Sequence, residues 1–273
     1  MKKILALCLC LLLLTGCGQE RVAAPTEGPT ELTFPLEAEE PATEPGETEP
    51  PQTLPPETRI AFGYEDISAD EAVEAFREVC LAAEYPGEGV DYTILHKWSE
   101  PIVYRLYGAY TPEDVKTLET FCAWLNDLEG FPGIREAEEP ELENLSFHFC
   151  DQAKLDDFSA GQSGETGCEG YVTVWYDEKN ISVSSGTIYL LSELPQERRD
   201  PVLLEEVYNA LGPLQDTTTR PDSIIYQFPQ EESLTWLSPM DELLLKLLYY
   251  PDMTPGLPGD EAEDLIRSLL EEA

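Results

Sequence analysis

Basic residues and histidine are both scarce in this 273-residue chain: 16 Lys+Arg stand against 55 Asp+Glu, and the two histidines are His96 and His148. The net charge of -39 repels phosphate backbones and anionic headgroups, which argues against nucleic-acid binding and electrostatic membrane docking. Two histidines leave few bases for a serine or cysteine triad. Both fall in predicted strands, where an imidazole is more often structural than a ligand. Also missing are GxGxxG, the Walker loop and GxSxG; Ser163 within Gly161-Gln162-Ser163-Gly164 does not fit the last. No CxxC pair exists, so a thiolate zinc site or dithiol redox motif has no support. What is present is 42% hydrophobic and 10% aromatic content, enough for a sizeable core.

The N-terminus reads as an address. Lys2 and Lys3 precede an uncharged apolar run from Ile4 to Leu14, then Thr15-Gly16-Cys17. The run is too short for a permanent span and has the make-up of a signal peptide. Small Gly16 directly before Cys17, with Leu14 two places before it, resembles the lipobox of bacterial lipoproteins. On that pattern residues 1–16 are removed and the Cys17 thiol takes a diacylglyceryl group. Acyl chains such as palmitate then hold the protein on the extracytoplasmic face of the cell membrane. Residues 17–59 follow as a lipid-anchored linker; over 18–58, 9 Pro, 10 Glu and 7 Thr fill 26 of 41 positions. Proline opposes helix and sheet, like charges repel, and little can be buried, so a disordered tether is expected. Its reach is up to roughly 100 Å in polyproline-like extension.

Residues 60–273 carry the folded domain. Ser68 with Glu71 forms a capping box before a helix with Val73, Phe76, Val79, Cys80 and Ala83 on one face. Val90–Trp98 and Ile102–Tyr107 are predicted strands. Thr111-Pro112 opens a helix with the stripe Val115, Leu118, Phe121, Cys122, Leu125 and Leu128, stopped by Gly130. Further strands are expected over 145–150, 171–176 and 181–191. Asp200-Pro201 is a helix start that Gly212 closes, and helices over 239–250 and 260–271 complete the chain. The order of elements predicts one α+β domain, a mixed twisted sheet packed by helices. Four cysteines remain in it. Cys150 and Cys168 bracket a Gly/Ser/Asp-rich stretch and could close a local disulfide loop, whereas Cys80 and Cys122 lie on buried stripes as thiols or a bridge.

The chemistry-bearing stretch is Glu205-Glu206-Val207-Tyr208-Asn209-Ala210-Leu211-Gly212-Pro213-Leu214-Gln215-Asp216. In zinc proteases HExxH sets two ligands one helical turn apart, with the intervening glutamate as general base, and a glycine turn brings a third ligand. Here the frame remains, but the ligand positions hold Glu205, Asn209 and Gln215, with Glu206 at the base position and Asp216 beside them. One carboxylate and two amides suit zinc poorly; they would better suit a hard divalent cation such as calcium, weakly held. The blander alternative, structural carboxylates near a helix N-terminus, outweighs metal binding.

Glu205-Glu206, Asn209-Ala210-Leu211-Gly212, Gln215-Asp216, Ser223-Ile224, Leu234-Thr235, Asp241 and Leu248-Tyr249-Tyr250-Pro251 with Pro255-Gly256 resemble domain-of-unknown-function family 2927, over roughly residues 90 to 270. Family members usually carry Gln where Asn209 stands, Leu at Pro213 and Asn at Gln215. The resemblance implies a putative lipoprotein with a zincin-like fold whose zinc ligands are replaced, and no substrate. The function expected is a membrane-anchored, non-catalytic zincin-like domain that binds an envelope ligand or partner protein. The alternatives are an unusual metallohydrolase or peptidase with Glu206 as base, and a purely structural envelope protein.

Overall fold

A computed structural model describes Tyr64 and residues 66–139, 141–229 and 234–270. The expected signal peptide, the expected lipidation site Cys17 and the expected linker through residue 59 lie outside the described residues. Eleven elements follow in order: α1 (Ala69–Cys80), β1 (Ile102–Gly108), α2 (Pro112–Asn126), β2 (Ile134–Glu136), β3 (Leu145–Cys150), α3 (Gln152–Gln162), β4 (Gly170–Tyr176), β5 (Val183–Leu191), α4 (Gln196–Ala210), α5 (Pro239–Leu248) and α6 (Gly259–Leu270). The strands form one mixed sheet in the order β2-β1-β3-β5-β4. β1 runs parallel to β2 and β3, β3 parallel to β5, and β4 closes the row antiparallel to β5. The α+β class is therefore as expected.

Strand alternation divides the core. Phe147, Phe149, Ile188 and Leu190 join the main cluster with α1, α2, α4, α5 and α6. Cys150, Tyr171 and Leu191 make a small second cluster with Leu155 and Phe158 of α3. α3 thus covers one end of the sheet separately. It was not expected from the sequence, because only Leu155 and Ser159 of its eleven residues are buried and no apolar stripe announces it. The three-residue β2 was likewise missed.

The N-termini follow local chemistry. Ser68 with Glu71, Thr111 with Asp114 and Ser238 with Asp241 each form a complete capping box. Asp114 does more: it is fully buried and accepts from Arg199 Nε at 2.9 Å and Gln196 Nε2 at 2.7 Å. Arg199 also donates to Ser192 O and Gln196 Oε1, both at 2.7 Å. This network corrects the expected helix start at Asp200-Pro201. α4 begins at Gln196 and carries Pro201 inside it, because Gln196 and Arg199 are locked by tertiary bonds that offset the missing Pro201 donor. Asp200, rather than capping, accepts from Thr117 and Gln196.

A second correction concerns 90–98, which is not a strand. It makes isolated bridges at Ile94 and Trp98, and otherwise bonds to the loop before α6 through Leu95 N–H to Leu257 O, Gly256 N–H to Leu95 O and Gly259 N–H to Thr93 O, all at 2.8 Å. Its β-prone side chains reflect burial of Leu95 and Trp98 rather than sheet membership.

Breaking a buried ion pair from one side strands the other charge. Asp114→Ala should therefore destabilise the domain by about 3–5 kcal/mol, measured by urea unfolding; a loss under about 1 kcal/mol would show that the network is not a stabilising clamp.

Candidate functional site

α4 is positioned by bonds to its last turns. Trp98 Nε1–H donates to Ala210 O at 2.8 Å, Tyr249 O–H to Leu211 O at 2.8 Å, and Tyr208 O–H to Asp241 O at 3.1 Å. Gly212 then adopts φ 132°, and a Cβ there would stand 2.7 Å from His96 O. The helix–glycine frame thus requires glycine for both conformation and space.

The turn returns the chain so that Glu205, Glu206 and Asn209 of α4 and Asp216 beyond it border one cleft of about 1020 Å³. Its other walls are the segment after α1, with Glu84 and Tyr85, the α3–β4 loop, and β4 itself. Glu84 is delivered by a tertiary bond, Glu84 N–H to Leu214 O at 3.0 Å, so no local sequence pattern could have announced it. Glu206 packs against the bare Cα of Gly170: a Cβ there would lie 2.7 Å from both Glu206 Cγ and Val202 Cγ1. Glycine at the start of β4 is what lets the buried carboxylate reach the strand.

Of the expected ligand positions, the structure gathers Glu205 and Asn209 but not Gln215. The Gln215 side chain donates to Asp216 O at 3.2 Å and stays outside the cleft lining. Asp216 takes the place anticipated for it, accepting from Asn209 Nδ2 at 3.3 Å. Asn209 Oδ1 is buried with no hydrogen-bond partner among the described residues. Neither histidine joins. The His96 nitrogens lie 2.9 Å from the Ile181 and Asp91 carbonyl oxygens, and His148 stacks between Tyr107 and Tyr189. Among the described residues, no three His, Cys, Asp or Glu side chains are arranged to hold a metal ion. Cys150 and Cys168 pack in the same small cluster but are free thiols, as are Cys80 and Cys122. The local loop closure that the sequence permits at Cys150 and Cys168 is open in this structure, with the two residues in one cluster.

The electrostatics are one-sided. The cleft lining contains seven acidic residues and no Lys, Arg or His. Glu84, Glu205, Glu206 and Asp216 enter none of the ion pairs among the described residues. Burial, then repulsion from Asp216 and Glu84, pushes Glu205 up to about 8. Burial, then Glu205 and Asp216, holds Glu206 well above the carboxylate range. Asp216 is pushed up to about 6 by burial and Glu84, against the opposing Asn209 hydrogen bond.

Fold and site together define an α+β domain with a carboxylate-lined cleft between the edge strand β4 and the end of α4. A family model described as protein of unknown function (DUF2927) matches residues 69–268, and the chain belongs to that family. No curated protein matches it.

Raised carboxylates make the folded state hold protons that the unfolded chain has released. Their stabilising contribution is complete below the ordinary values of 4.5 for Glu and 3.8 for Asp, and is lost as pH rises through about 6 for Asp216 and about 8 for Glu205. Stability should thus fall from about pH 4 to about pH 8, by several kcal/mol from Glu205 and Asp216 together at about 1.4 kcal/mol per pKa unit. In Glu205→Gln/Glu206→Gln that slope should flatten, as followed by denaturant unfolding across pH; a slope identical to the parent would refute the assignment.

Proposed function

We propose that this is a lipoprotein, anchored through Cys17 at the extracytoplasmic face of the cell membrane, whose zincin-like domain binds a ligand without catalysing its breakdown. The observation that carries this is the composition of the cleft at the helix–glycine frame. Where a metallopeptidase needs nitrogen donors, α4 offers Glu205 and Asn209, and Gln215 is turned away. That donor set does not fit zinc, which takes imidazole nitrogen or thiolate sulfur.

The same geometry weighs against Glu206 as general base. A general base works through its ionised form, and burial beside Glu205 and Asp216 disfavours that form of Glu206. A large, partly apolar cleft with unpaired polar groups also favours a binding role over a purely structural one.

Two measurements test the two halves. Labelled palmitate should enter the wild-type protein and be absent from Cys17→Ser, which should leave the membrane fraction; labelling that survives the substitution would refute the anchor. Purified protein, prepared without chelator, should hold no stoichiometric zinc and leave a mixed peptide pool uncleaved by mass spectrometry. Cleavage that disappears in Glu206→Gln would replace the binding role with hydrolysis.

A further inference from the structure

We propose that the cleft receives an extended peptide, which pairs along the free edge of β4 and places a Lys or Arg side chain among Glu205, Glu206, Asn209 and Asp216. This rests on the binding role proposed above and supplies the class of ligand.

The first argument is the edge. Among the described residues β4 is the last strand of the sheet and pairs with β5 alone, so its other edge carries backbone groups without a sheet partner. All seven residues of β4 border the cleft, those pointing to either face of the sheet alike. A groove over one face would touch alternate residues; a groove along the edge touches them all. An added strand supplies the matching row of donors and acceptors.

The second argument is the charge. At its Gly170 end the edge meets four carboxylates that no cation of the described domain neutralises. Glu206 is only 7% exposed and makes no hydrogen bond or ion pair among the described residues. Asn209 Oδ1 is a buried acceptor without a donor. An ammonium or guanidinium group supplies both what the carboxylates lack, positive charge, and what Asn209 lacks, an N–H. Tyr85, 43% exposed, lies against Tyr171 at the Gly170 end of the cleft, near enough to cover a cationic side chain's alkyl stem. A second copy of this chain is disfavoured as occupant by its charge of -39, and so is the chain's own glutamate-rich linker.

The test is calorimetric titration of the intact protein with an acetylated, amidated hexapeptide alternating threonine and lysine. Three comparisons decide it. The peptide with glutamine for lysine should bind at least about tenfold more weakly. A version N-methylated on alternate residues, which cannot donate along one edge, should also lose about tenfold. Glu205→Gln/Glu206→Gln should lose about tenfold, while Glu119→Gln/Glu129→Gln, the same two replacements on the exposed surface away from the cleft, should stay within about twofold. Equal loss in both double variants would mean diffuse attraction and overturn the proposal. Undiminished binding of the methylated peptide would overturn strand pairing. Absence of any binding would overturn the ligand class and leave the non-catalytic role standing. Cleavage of a bound peptide, seen by mass spectrometry of the same mixture, would instead overturn the non-catalytic role and keep the ligand class.

Discussion

The constraint on which the rest depends is the burial of two adjacent glutamates on α4 with no cation opposite them. Glu206 is nine-tenths covered, Glu205 stands beside it, and Asp216 and Glu84 add further negative charge. Such a cluster is costly: carboxylates inside a protein normally find a partner or keep a proton. Here no cation faces them among the described residues, and burial raises the pKa of all four. An arrangement that opposes the ordinary folding preference is one that the remaining structure must hold in place.

The holding is done at both ends of α4. At its start, the Asp114–Arg199 pair and Gln196 tie the helix to the N-terminus of α2. At its end, Trp98, Tyr249 and Tyr208 bond to carbonyls of Ala210, Leu211 and Asp241. Asp241 is itself buried and accepts from Ser223 Oγ at 2.6 Å, Ile224 N–H at 2.8 Å and Ser238 N–H at 3.1 Å. That carboxylate therefore joins the segment after the cleft to the cap of α5. Lys97 adds a further bond here, donating to Leu248 O at 2.9 Å, although burial pulls its pKa down to about 8. The helix cannot rotate its glutamates outward without breaking these bonds, and a side chain at Gly170 would push them off the strand.

Much of this was legible in the residues and some was not, for identifiable reasons. The capping pairs at Ser68 and Thr111 announced α1 and α2 because their partners lie three residues away. The alternation of Leu145, Phe147 and Phe149 announced β3 because one face is buried. Position along α4 also fixed Glu205 and Asn209 on a common face. What failed depends on distant partners. Val90–Trp98 has strand-like side chains but spends its backbone bonds on the 256–259 segment. α3 has a polar sequence and is held by a few contacts to the sheet. The choice between Gln215 and Asp216 turns on the turn after Gly212, where Gln215 N–H bonds to Val79 O and a single residue's phase decides which side chain meets the cleft. Glu84 and Gly170 come from elements far apart in sequence.

The chain's overall acidity and the cleft's acidity act over different ranges, and the difference bears on selectivity. A net charge of -39 attracts any basic molecule, with a field that salt screens beyond about 8 Å at physiological ionic strength. That attraction raises encounter rates but discriminates little. Within the cleft, low dielectric and fixed geometry replace screening: Asn209 Oδ1 accepts from one direction, Glu206 is anchored over Gly170, and the β4 edge offers backbone groups at strand spacing. A compact cation lacks the backbone to use that edge, and a neutral strand brings the carboxylates no positive charge. Only a ligand combining extended backbone with a cationic side chain satisfies both, so selectivity arises from the coincidence of two features that are individually common.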